Sequence, residues 1–78
     1  MSEPAERRSG IQSVGIGLRV LDVLASLNGA AQLGAIAAAA DLSSSQAHRY
    51  LASLIAAGMA QQDPSSGRYE LGPGALKL

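Results

Sequence analysis

The sequence predicts a mainly α domain with a small β-hairpin: three helices followed by two short strands. Three observations carry this prediction. Apolar residues recur at intervals of three and four across residues 13–27, the mark of an amphipathic helix. Ser43 and Gln46 stand at capping-box spacing ahead of a later apolar run. After Gly58 the pattern shortens to alternating stretches on either side of Asp63-Pro64-Ser65-Ser66-Gly67, a turn cluster flanked by strands.

The elements follow in order. Residues 1–10 are polar, with Pro4, Gly10 and no period, and read as a disordered arm. From Ser13, the residues Val14, Leu18, Leu21, Leu24 and Leu27 share one helix face, with Val20 and Val23 alongside, and Asn28 and Gly29 stop the helix. Gly15 and Gly17 each cost about 1 kcal/mol relative to alanine, so the first turn is expected to fray. Leu33, Ile36, Ala37 and Ala40 mark a short second helix that ends at Asp41, a residue that tolerates the left-handed conformation. The third helix runs from about residue 44 to residue 57. At 100° per residue, Ala47, Leu51, Leu54 and Ile55 point inward, while Ser45, Gln46, Arg49, Ser53 and Ala56 point outward. His48 falls at the border, and Gly58 supplies the stop. In the hairpin, Tyr69 and Leu71 are expected inward and Arg68 and Glu70 outward. Gly72, Pro73 and Gly74 close it, and residues 75–78 read as the first turn of another helix.

Composition narrows the function classes. The chain has 78 residues, no cysteine, one histidine and a formal net charge of zero. Of its apolar residues 15 are alanine and 11 leucine, so the core is thin and one small domain is expected, supported by oligomerisation or by a larger parent chain. Disulfides and thiolate metal sites are excluded, and no metal or cofactor is expected. Without an apolar run of about 18 residues or a leader-like segment, a cytoplasmic protein is the default. Asp22, Asp41, Asp63 and Glu70 are scattered over four elements with no nucleophile beside them, and no glycine-rich phosphate loop is present, so an enzyme is not expected. A pI near 6.5 counts against a strongly basic nucleic-acid binder, for which values above about 9 are usual.

Three helices with a tight break at Asp41, Leu42 and Ser43, followed by a hairpin, make a winged helix-turn-helix. The same break also fits two helices of an ordinary bundle. The stretches Ile11-Gln12-Ser13 with Leu18 and Leu21, Ile36-Ala37, His48-Arg49-Tyr50-Leu51 with Leu54, Gly58, Asp63-Pro64 with Gly67-Arg68-Tyr69, and Leu71-Gly72 occur in a specific order. In that order the chain resembles the N-terminal DNA-binding domain of the IclR family of bacterial transcription regulators, over Ile11 to Leu78. The resemblance implies a winged helix-turn-helix at residues 11–72, with residues 73–78 as the start of a linker helix to an absent effector-binding domain. It implies a cytoplasmic repressor or activator acting as a homodimer or tetramer on double-stranded operator DNA, with a small-molecule effector bound only by the absent domain. Ile16, Ser44, Gln61 and Gln62 stand where family members commonly carry basic or charged residues, and each removes a potential phosphate contact.

The candidate DNA-binding residues are Gln32, Ser44, Ser45, Gln46, His48, Arg49, Ser53 and Arg68. Arginine at position 49 can make bidentate contacts to guanine or to phosphate, and serine and glutamine in the first turn of a recognition helix are competent base readers. Gln46 competes with its own capping duty. His48 fits a packed structural role as well as a contact. Arg68, expected at the wing tip, suits a backbone phosphate or the minor groove, and Gln32 precedes a helix whose free N–H groups suit another phosphate. Tyr50 is expected to be half-buried packing, and Arg7 and Arg8 a solvated tail offset by Glu3 and Glu6. The rival reading is a winged helix used for protein–protein contact without DNA.

Overall fold

Helix α1 (Ala5–Ser26) lies across α2 (Leu33–Ala40) and α3 (Ser44–Ala56), and strands β1 (Ala60–Gln62) and β2 (Tyr69–Leu71) close the far side. A 3-10 helix, Pro73–Lys77, ends the described chain. The computed structural model describes the backbone of residues 5–27 and 29–77 and the side chains of residues 12–27 and 29–75.

The core is built from Val20, Val23 and Leu24 of α1, Ile36 and Ala40 of α2, Leu51 of α3, and Ala60 and Tyr69 of the hairpin. Ala37 and Ala47 are buried beside them, so small side chains bring α2 and α3 close. No polar or charged side chain among the described residues is buried, which leaves the core wholly apolar apart from the tyrosine hydroxyl.

Both helix stops expected from the sequence form by the same mechanism. Asp41 adopts φ 58°, and the N–H groups of Asp41 and Leu42 donate to the Ala38 and Ala37 carbonyls at 3.3 and 2.9 Å. Gly58 adopts φ 78°, with Gly58 and Met59 donating to Ile55 and Leu54 at 2.9 Å. Each is a Schellman closure, which satisfies carbonyls that would otherwise be orphaned.

Four expectations need correction. The arm over residues 1–10 is helical from Ala5, because Ala5, Glu6, Arg7 and Arg8 are all good helix formers and outweigh the glycines that follow; residues 1–4 lie outside the described residues, as does Asn28 at the expected stop. The face of α1 is also different. Val20, Val23 and Leu24 are inward, whereas Val14 and Leu18 are 65% and 59% exposed. Alongside its buried face, α1 carries a second apolar stripe of Val14, Leu18 and Leu21, and the position of α2 and α3 decides which stripe is covered. Ile55, expected inward, is 37% exposed near the end of α3. Finally, the closing segment is a 3-10 helix, and Leu78 lies outside the described residues.

The hairpin pairs Ala60 with Leu71, Gln61 with Glu70 and Gln62 with Tyr69. Ala31, in the loop before α2, adds a one-residue bridge: Ala31 and Tyr69 exchange both N–H···O bonds at 2.8 Å. The loop after α1 is thereby stitched to the wing, and Tyr69 is held in the core.

Candidate nucleic-acid interface

Helix α3 is anchored at its first turn. The Ser43 hydroxyl accepts from the Gln46 N–H at 3.1 Å, and the Ser43 N–H donates to Gln46 Oε1 at 3.1 Å. This reciprocal capping box fixes where the helix begins. Ala47 and Leu51 are buried beneath it, which fixes the rotation of the helix about its axis.

With both degrees of freedom set, the outward face is defined. Ser44, Ser45, Gln46, His48, Arg49 and Ser53 are all exposed on α3. The structure therefore brings six of the candidates onto one helix. His48, expected at the border, is exposed with the others. The helix contains one cation, Arg49, and no carboxylate, so its outward face carries a single positive charge with no acid on the same helix. Capping restricts Gln46: with its amide oxygen engaged by the Ser43 N–H, and the Ser43 hydroxyl 3.2 Å away, the amide NH2 is the part left to donate outward.

Gln32 and Arg68 stand apart from this face. Gln32 is the N-cap of α2, exposed and extended at φ −78°, ψ 154°, and its side chain makes no cap bond. Arg68 is exposed at the foot of the wing loop rather than at its tip. The tip is organised by Asp63, whose carboxylate accepts from the Ser65 N–H at 3.1 Å and from the Ser65 and Ser66 hydroxyls at 3.0 Å. The Ser65 backbone N–H and then the two hydroxyls hold the Asp63 carboxyl below its ordinary range. The loop is thus a preformed turn, and Arg68 leaves it at a fixed point, its N–H donating to Ser66 Oγ at 3.2 Å.

Tyr50 is half-buried, as expected from its place beside the buried face. Its hydroxyl lies 3.5 Å from the Ser13 Oγ of α1. Sequence reasoning placed Ser13 at the start of the first helix and did not name it among the candidate DNA-binding residues. Two hollows meet at this pair. One is apolar, between Val14, Leu18 and Leu21 of α1 and Leu54 and Met59. The other is polar, lined by Ser13, Gln46, Arg49, Tyr50 and Ser53.

Residues 13–64 match the model of the IclR helix-turn-helix domain. The chain belongs to this family. The IclR-type head superposes on solved structures of transcription regulators. HmgR of Pseudomonas aeruginosa shares 41% identity at a TM-score of 0.82, over 85% of this chain and 27% of that one. A regulator from Rhodococcus sp. RHA1 shares 31% identity at 0.76, over 86% and 26%. An IclR-family regulator from Brucella abortus shares 27% at 0.77, over 85% and 25%. The chain spans about a quarter of the length of these structures. No curated protein sequence matches it. The IclR assignment settles the choice left open between a winged helix-turn-helix and a plain helical bundle in favour of the former. Among the described residues, no helix is long and apolar enough to cross a membrane.

Proposed function

We propose that this domain is the sequence-reading head of a cytoplasmic, non-enzymatic transcription regulator, binding double-stranded DNA with α3 in the major groove and the wing on the flanking backbone. The observation that carries this reading is the rigidly seated, carboxylate-free face of α3 with Arg49 among serines, histidine and glutamine. Ser44, Ser45, Gln46 and His48 address the groove edge, Arg49 a base or phosphate, Ser53 the adjoining strand, and Gln32 and Arg68 the backbone on either side. The reading includes a homodimer on a pseudo-palindromic operator, with a small-molecule effector taken by a further domain. The stripe of exposed Val14 and Leu18 with half-buried Leu21 supports the dimer, because contiguous apolar surface rimmed by polar groups marks a contact site.

Selection of bound duplexes from a random pool, followed by mobility shift, tests the proposal. Arg49→Ala is expected to cost about 1 to 3 kcal/mol and to relax base preference, whereas Arg68→Ala weakens all sequences alike. With about three phosphates neutralised per monomer, the log–log salt slope of a dimer is expected near −5, on the order set by counterion release. A chain that retards no duplex at any salt overturns the reading. That outcome favours the rival, a winged helix for protein contact, whose support is the same apolar stripe and the neutral net charge.

A further inference from the structure

Gln46, Arg49, Tyr50 and Ser53 are spaced i, i+3, i+4, i+7 on α3, so they share one edge of the helix. That edge faces α1 across the polar hollow, whose opposite wall is Ser13. Tyr50 stands where this hollow meets the apolar one. Its ring passes 4.0 Å from the position a Cβ would take at Gly17, and its hydroxyl reaches Ser13.

The 3.5 Å separation of the two hydroxyls is at the outer limit of a hydrogen bond, so neither donor is strongly committed. Two hydroxyls from different helices, converging at the rim of a hollow with no carboxylate in its lining among the described residues, suit an anionic oxygen better than they suit each other. Arg49 lines the same hollow and adds positive potential there without being consumed by an acid on its own helix.

We propose that Ser13 and Tyr50 seat one backbone phosphate of double-stranded DNA, which brings α1 into the interface beside α3. The inference rests on the DNA-binding reading above. The hydroxyls donate to the non-bridging oxygens of the phosphodiester, and Arg49, at the rim, stays available to a base edge. Contacts of this kind fix the register of a protein on the duplex and carry no sequence information. The seat therefore sets how far α3 advances into the groove, while the outward face of α3 reads.

The test uses the chain with two probes, a duplex recovered by selection and a scrambled duplex of the same length. Ser13→Ala and Tyr50→Phe each remove one donor and keep the helix and the ring in place. Each is expected to lower affinity roughly three- to ten-fold, the net scale of one solvent-accessible hydrogen bond, by the same factor on both duplexes. Duplexes carrying single methylphosphonate substitutions should then reveal one phosphate whose neutralisation weakens the wild type but not Tyr50→Phe. Full affinity in both variants overturns the seat, and so does a loss confined to the selected duplex, which marks a base contact. Wild-type binding with unaffected variants sinks the seat alone; wild type that binds neither duplex sinks the DNA reading with it. Melting of Ser13→Ala, at an exposed helical position where alanine is favoured, keeps folding separate from binding.

Discussion

Gln46 serves two ends with one amide. Its oxygen closes the capping box and its NH2 faces outward, so it can donate to an acceptor such as guanine O6 or N7, but the donor–acceptor pair that recognises adenine is not free. Ser43→Ala removes the partner and is expected to lower stability by about 1 kcal/mol, read as a drop in the thermal midpoint. Asp63 makes a second prediction at this scale. Its carboxyl is depressed mainly by the Ser65 N–H, so the wing tip is fully stabilised above the ordinary aspartate pKa of about 3.9. That contribution fades as pH falls through the lowered folded value. An NMR titration should place the Asp63 midpoint below that of a free aspartate, and Asp63→Asn should remove the acid dependence of the wing signals. A midpoint at or above the ordinary value removes the hydrogen-bonded turn from the account.

At the scale of elements, α1 carries glycines that its structure does not require. A Cβ at Gly15 meets nothing within 4 Å, and one at Gly17 meets only the Tyr50 ring at 4.0 Å, an ordinary contact. Gly15→Ala and Gly17→Ala are each expected to stabilise the chain by about 0.5 to 1 kcal/mol, measured by denaturant unfolding. Leu18→Glu should leave the monomer folded, because Leu18 is exposed, and should shift sedimentation toward monomer where the wild type associates. Legibility in the sequence also divides by element. The capping box and the two left-handed helix stops are local and were readable residue by residue, and the outward face of α3 follows from its period. The inward face of α1 does not. Val14, Leu18 and Leu21 compete with Val20, Val23 and Leu24, and only the tertiary partners choose between them. The Ala31–Tyr69 bridge and the Ser13–Tyr50 pair join residues far apart in the chain, the latter by 37 positions, and neither has a local signature.

Across the whole molecule, a small alanine-rich core leaves little stability in reserve, so backbone fit matters. The chain passes the end of α3 at Gly58, Gly72 and Gly74. A Cβ at Gly72 or Gly74 would lie 2.6 Å from the Gly58 carbonyl oxygen, a backbone atom that cannot step aside. Gly72→Ala and Gly74→Ala are therefore expected to destabilise by about 1 to 3 kcal/mol, with the thermal midpoint falling by about 4 to 8 °C for each kcal/mol. An unchanged midpoint in both would show that the junction yields.

The same junction has a mechanical meaning. Gly74 donates to the Gly58 carbonyl at 2.8 Å and Gly72 to the Met59 carbonyl at 2.8 Å, so the stop that follows α3 is bonded backbone to backbone to the segment that enters the 3-10 helix. The orientation of the 3-10 helix is thereby coupled, through main-chain bonds alone, to the residues that close α3.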